Sequence, residues 1–209
     1  MSGDEARNRI AADVSRETLA KLDTFHDLLL KWQDKVNLVA KATIPHAWDR
    51  HFIDSLQVFH AARPSSGLWL DVGSGGGFPG LVCAIVAAEV APDLEFKLVD
   101  SDIRKCAFLR EVARQTGVSV DVRSARLERL DPIGADVISA RAMAPLPQLL
   151  EWTAPHLGEG GVLLFQKGAS YREELESAGQ RWQMTTDIVP SITAAESVIL
   201  RIRNVAHAK

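Results

Sequence analysis

The stretch from Leu68 to Val90 constrains the fold more than any other part of the chain. Leu68-Trp-Leu-Asp-Val72 is a short apolar run, glycines follow at positions 73, 75, 76, 77 and 80, and Leu81 to Val90 has helical length and composition. A strand that turns through closely spaced glycines into a helix lets the backbone approach a ligand, because glycine tolerates positive φ and has no Cβ to collide. Pro79 is suited to open that helix as its first residue, where its missing N–H is not needed. The free amides of a helix start favour an anionic group.

The same alternation continues downstream. Glu95–Asp100 is a second strand candidate, Ile103–Gln115 a helix, Val118–Val122 a third strand and Asp136–Ala140 a fourth. Pro147–His156 follows as a helix, and Gly161–Gln166 as a strand after a Gly-Glu-Gly-Gly turn. Units of this kind predict a mostly parallel, doubly wound α/β sheet with helices on both faces. After a helix at Tyr171–Ala178, two strand-like runs, Gln183–Val189 and Ser197–Arg203, come without a helix between them, which predicts an antiparallel hairpin at the C-terminal sheet edge.

Ahead of the sheet the periodicity is helical. Leu19, Leu22, Phe25, Leu29, Trp32 and Val36 recur at three- and four-residue steps, Pro45 interrupts, and Trp48, Phe52, Leu56 and Phe59 resume the pattern before the loop at Arg63–Gly67. Residues 1–65 are therefore expected to form an N-terminal helical extension, and 66–209 the ligand-binding domain. A chain of 209 residues suits one core with a small appendage. No apolar run approaches the roughly 20 residues needed to cross a bilayer, and the polar opening Met1–Arg7 lacks the apolar stretch of a secretion signal, so a cytoplasmic protein is expected. Cys83 and Cys106 fall in helices without metal-type or Cys-x-x-Cys spacing, which fits reduced, packed thiols. A net charge of −3 argues against binding polyanions by bulk charge while leaving room for local basic patches.

Asp71 stands two residues before Gly73, and Gly73-x-Gly75-x-Gly77 follows at once. This resembles the first motif of class I methyltransferases and implies S-adenosylmethionine as cofactor. Its methionine carboxylate would meet the helix start and its ammonium would meet Asp71. Asp100, at the end of the second strand, is placed to accept hydrogen bonds from ribose hydroxyls. Gly75-x-Gly77-x-x-Gly80 followed twenty residues later by Asp100 also satisfies the dinucleotide fingerprint, so an NAD(P)-dependent oxidoreductase stays open on the glycines alone. A non-catalytic RNA-binding protein on the same fold is the other alternative.

Several further segments carry a more specific resemblance. Arg50-His-Phe-Ile-Asp-Ser-Leu56, Phe78-Pro-Gly80, Val99-Asp-Ser101 with Lys105 and Phe108-Leu109, Arg126-Leu-Glu128, Ser139-Ala-Arg-Ala142 and Gln166-Lys-Gly168 occur in this order. Together they resemble the RsmG (GidB) family of bacterial 16S ribosomal RNA guanine-N7 methyltransferases. Gly76 departs from a frequent alanine, and Cys106 from a second basic residue. The resemblance implies that Gly73 and Phe78 contact the cofactor, that Leu127 and Glu128 lie against its adenine, and that Arg141 lines the site. It also implies 16S ribosomal RNA or the small ribosomal subunit as partner, with guanine 527 of the decoding region as the family's target.

Guanine N7 carries a free lone pair and no proton, so its methylation needs no general base. No acid or base is assigned for that reason, and Arg141 is expected to position the guanine through O6. The segment Ser139–Ala144 lacks the Asn/Asp-Pro-Pro-aromatic signature of exocyclic-amine methylation, and neither cysteine lies there to serve as the nucleophile of a pyrimidine C5 enzyme. Arg50, Lys105, Arg123, Arg126 and Lys167 are the candidates for a phosphate-binding rim, with Lys31, Lys35, Lys41, His51 and Arg104 as further basic residues. His46, His51 and His60 do not share a helical face, so no metal site is expected. His51 with Asp54 is expected to make a structural contact between extension and sheet. A monomer is expected.

Overall fold

The computed structural model describes residues 3–208; Met1 and Ser2, the start of the polar opening, lie outside the described residues, as does Lys209. The strands are β1 (Ser66–Val72), β2 (Asp93–Asp100), β3 (Asp121–Ser124), β4 (Ala135–Arg141), β5 (Leu157–Lys167), β6 (Trp182–Pro190) and β7 (Val198–His207). They form one sheet in the order β3-β2-β1-β4-β5-β7-β6. β1 to β5 are parallel, and β7 and β6 add antiparallel at the edge. Both the α/β class and the edge hairpin match the sequence expectation. Strand order reverses between β1 and β4, which opens a crevice at their carboxyl ends.

Alternate residues of each strand feed two cores. Trp69, Leu98, Val137 and Leu164 face one, while Leu70, Val72, Val99, Ile138 and Leu163 face the other. Burial on both faces is why these strands read as continuous apolar runs.

The helices are α1 (Gly3–Asp13), α2 (Arg16–Gln33), α3 (Asp54–Ala62), α4 (Gly80–Val90), α5 (Ile103–Thr116), α6 (Leu146–Thr153) and α7 (Tyr171–Gly179). A 3₁₀ turn at Lys41–His46 and a π turn at Trp48–Ile53 join α2 to α3. Gly80 to Ala87 of α4 are all buried, so the first two turns of the helix are apolar around their circumference and have no face for water. Its second cover comes from the extension. Leu22, Phe25, Leu29, Phe52 and Phe59 belong to the same core as Leu81, Ile85 and Leu98. The Ser15 and Thr18 hydroxyls donate to the Glu89 carboxylate at 2.7 and 2.5 Å, which fixes the start of α2 to the end of α4.

Three local expectations shift. β3 pairs with β2 from Lys97↔Asp121 onward rather than from Val118, because Gly117, at φ +68°, ends α5 and Val118 turns into the core before the ladder begins. The glycines at 158–161 lie within β5, where its pairing with β4 slips between Ala135 and Val137. The segment 3–13 forms a helix of its own, burying only Ala6 and Ile10, too little periodicity to read in advance.

Candidate active site

The glycine loop is held from below. Gly73 and Ser74 donate from their backbone N–H groups to the Val99 carbonyl at 2.9 and 3.1 Å. Gly75 N–H donates to Asp100 Oδ2 at 2.8 Å, and Asp102 N–H to Asp100 Oδ1 at 2.8 Å. Asp100 thus ties the first loop to the second, and it also lines a cavity there.

The glycines divide by role. Gly73, at φ +64°, faces the crevice, and a Cβ there would meet Met143 Sδ at 2.9 Å. Gly75 and Gly76 also line the crevice. Gly77 does not: it is buried, and a Cβ would strike Phe25 Cζ and Leu81 Cδ1 at 2.8 Å, so its smallness serves packing of the loop on α2. Pro79 is the N-cap of α4 rather than its first residue.

Asp71 also departs from its expected position. It is fully buried beneath α4, and a Cβ on Gly80 would lie 2.5 Å from its Oδ2. Ser139 Oγ donates to Asp71 Oδ1 at 2.5 Å and accepts from Trp69 Nε1 at 2.8 Å. Burial raises the Asp71 carboxyl to about 6, against the opposing pull of Ser139, Ser74 and the Gly80 amide. Its side chain supports the loop from inside and lines neither cavity described next.

Two cavities adjoin at the strand ends. One, of about 470 Å³, lies between the glycine loop, the π turn and β5, with Arg50, His51, Asp54, Phe78 and Gln166 among its walls. The other, of about 420 Å³, has apolar walls from Val72, Val99, Leu127 and Met143, with Asp100, Ser101 and Glu128 as polar groups. Gly73, Lys105, Arg141 and Ala142 line both. Each volume lies in the range of small-ligand sites. Ala142 holds a positive φ of 50°, a conformation that costs a Cβ-bearing residue about 1 kcal/mol or more.

Arg141 and Lys105 are the cations at the shared wall, and Arg141 is the one that protein groups fix in place. Its Nη1 donates to His51 Nδ1 at 2.8 Å and to the Arg50 carbonyl at 3.3 Å. The guanidinium lies 5.1 Å from the Phe78 ring centroid, while Phe78 stacks on His51 at 5.0 Å and on Phe25 at 5.0 Å. Burial and the nearby charges of Arg141 and Arg50 push His51 down to about 3. His51 is therefore neutral, with Nδ1 accepting from Arg141 and Nε2–H facing Thr43 Oγ1 at 2.8 Å. Asp54 meets Gln166 of β5 in a short hydrogen bond and accepts from Thr193 Oγ1 at 3.2 Å. His51 and Asp54 thus each connect the extension to the sheet, through separate partners rather than through each other.

The basic residues also separate. Lys105, Arg126 and Arg50 line the cavities. Arg123 is exposed and pairs with Asp121 at 2.9 Å, away from both. Lys167 borders the larger cavity, but its ammonium is buried and held by the Ala144 carbonyl at 2.6 Å and Glu174 at 2.8 Å. Sequence reasoning missed the roof formed by Leu38, Val39, Ala40 and Thr43. The buried Gln33 side chain builds it, accepting from the Leu38 and Val39 amides at 3.1 Å and donating to the Val39 carbonyl at 2.8 Å. The short apolar run Leu38–Ala40 after a polar helix end was its only trace.

Strand order, glycine loop and paired cavities define an S-adenosylmethionine-dependent methyltransferase of class I. The small-residue cradle at Gly73 and the mixed apolar and hydroxyl-accepting walls fit that cofactor. The chain belongs to the GidB family: the family model, described as rRNA small subunit methyltransferase G, matches residues 18–203. A relative from Ruegeria sp. (strain TM1040), named ribosomal RNA small subunit methyltransferase G, is 48% identical over 96% of this chain and 98% of its own length. One of the same name from Ruegeria pomeroyi is 49% identical over 93% and 95%. A solved structure described as a SAM dependent methyltransferase from Aquifex aeolicus shares the fold at TM-score 0.56 and 17% identity, over 76% of this chain and 94% of that one.

Proposed function

We propose that this enzyme transfers the methyl group of S-adenosylmethionine to N7 of a guanine in 16S ribosomal RNA, the family's guanine 527 being the expected target. The observation that carries the reading is the pair of cavities meeting at Gly73 and Arg141, one suited to an adenosine and the other to a flat polar base.

The roles assigned to individual residues belong to this proposal. Gly73, Gly75 and Phe78 form the cradle at the methionine end, with Gly77 and Asp71 holding that cradle in shape from behind. Asp100 takes the ribose hydroxyls on lone pairs left after its backbone contacts, and Leu127 and Glu128 flank the adenine. The bound cofactor supplies an electrophilic methyl on a sulfonium. The chain supplies orientation: Arg141, fixed by His51 and Phe78, directs a donor toward guanine O6 and leaves N7 free to attack in line. Neutral His51 has both ring nitrogens engaged, which suits a nucleophile that has no proton to lose.

Arg50, Lys105 and Arg126 take RNA phosphates at the cavity rim, giving binding that weakens with salt. Arg123 and Lys167 are less suited, since each already holds a carboxylate. Residues 1–65 act as an integral cover of the catalytic domain, and the protein works as a cytoplasmic monomer. Among the described residues, no helix is long and apolar enough to cross a membrane.

The test is transfer of labelled methyl to 16S RNA or small subunits from cells lacking the modification, with the product mapped by N7-specific cleavage. Label at one guanine N7 is the expected result. Tight cofactor binding without transfer to either substrate, or label on another atom, overturns the proposal.

A further inference from the structure

Adenine also carries an unprotonated N7, so the chemistry of attack does not by itself select guanine. The two bases differ beside N7. Guanine presents an O6 acceptor followed by an N1–H donor, whereas adenine presents an N6–H₂ donor followed by an N1 acceptor. A site that selects guanine therefore needs a donor next to the transfer point and an acceptor one step further in.

Arg141 and Asp54 stand in that order. Arg141 lines both cavities, whereas Asp54 lines only the larger one, and Asp54 Oδ2 lies 3.9 Å from Arg141 Nη1. That separation is too long for a hydrogen bond between them, so the carboxylate is not spent on the guanidinium. Nη1 is held by His51 and the Arg50 carbonyl, while the Nε and Nη2 donors have no protein acceptor among the described residues. Asp54 is fixed as an acceptor. Ser191 Oγ and Thr193 Oγ1 face its Oδ1 at 3.4 and 3.2 Å, and Gln166 Nε2 donates to its Oδ2. With two lone pairs on each oxygen, Oδ2 keeps one for a ligand.

Resting on the reading of the larger cavity as the guanine site, we propose that Asp54 accepts the guanine N1–H while Arg141 donates to O6, and that this pair selects guanine over adenine. Adenine would set its amino group against the guanidinium and its N1 lone pair against the carboxylate. Gln166 is a positioning residue. Its amide cannot flip without turning Oε1 toward the carboxylate, so it holds Asp54 Oδ2 in place.

The experiment uses small subunits reconstituted with 16S RNA carrying guanine, inosine, 1-methylguanine or adenine at the methylated position. The wild-type enzyme should methylate inosine, which keeps O6 and N1–H, within about tenfold of guanine, and should lose roughly ten- to a hundredfold in kcat/KM or more on 1-methylguanine. Asp54→Asn should lower the guanine rate and cut the guanine-to-adenine ratio at least tenfold while leaving the S-adenosylmethionine Kd unchanged. A strut that merely held the fold would not move that ratio. Methylation of 1-methylguanine within about threefold of guanine overturns the inference, as does an unchanged base ratio in folded Asp54→Asn. Should that variant not fold, the two modified bases decide with the wild-type enzyme. Failure of the wild-type enzyme on guanine itself would instead overturn the proposed function.

Discussion

Arg141 Nη1 lies 2.8 Å from His51 Nδ1, ninety residues earlier in the chain, and this contact joins the end of β4 to the π turn of the extension. It sets the histidine tautomer, adds to burial in keeping the ring uncharged, and fixes the guanidinium that lines both cavities.

The first prediction concerns acid stability. His51 falls from an ordinary 6.5 to about 3 in the fold, so the unfolded chain takes up a proton between these values and the folded chain does not. The stabilisation is complete above pH 6.5 and is lost as pH falls from there toward 3, by up to about 5 kcal/mol from this group. His51→Asn, which keeps an acceptor near Nδ1 and does not titrate, should flatten that part of a urea-unfolding profile against pH. An unchanged slope would contradict the assignment.

Gly73→Ala places a Cβ at φ +64° and 2.9 Å from Met143 Sδ. The backbone strain costs about 1 kcal/mol or more, and the displaced thioether moves in the wall of the smaller cavity. Calorimetry should show S-adenosylmethionine affinity falling about tenfold or more; a Kd within twofold of wild type would exclude Gly73 from the cradle.

Two lysine and arginine substitutions should separate structural from exposed charge. Lys167→Met breaks a buried pair with Glu174 and should cost about 3 kcal/mol, whereas Arg123→Ala removes an exposed pair and should cost under about 1 kcal/mol. Equilibrium unfolding in urea measures both, and equal losses would be inconsistent with the different burial of the two pairs.

Removing residues 1–62 strips one cover from α4. Its buried apolar side chains, at about 1.5–3 kcal/mol each when exposed, would soon consume the 5–15 kcal/mol typical of a domain. The fragment 63–209 should lack a cooperative thermal transition and should bind hydrophobic dye. A sharp melt would show instead that the α/β unit stands alone.

The sequence by itself determined the local patterns: the glycine turn after Leu68–Val72, the strand and helix alternation, the closing hairpin and the family motifs. Each depends on residues that are neighbours along the chain, where side-chain periodicity and glycine conformation act directly. Tertiary structure decided which of those residues face the ligand. Gly77 packs on Phe25, Asp71 is enclosed beneath α4, and Lys167 is taken by Glu174. Gln33 builds a cavity roof, and Asp54 stands beside Arg141. The direction a side chain faces, and the partner that claims its charge, depend on segments brought together from distant parts of the chain, and no local pattern encodes that meeting.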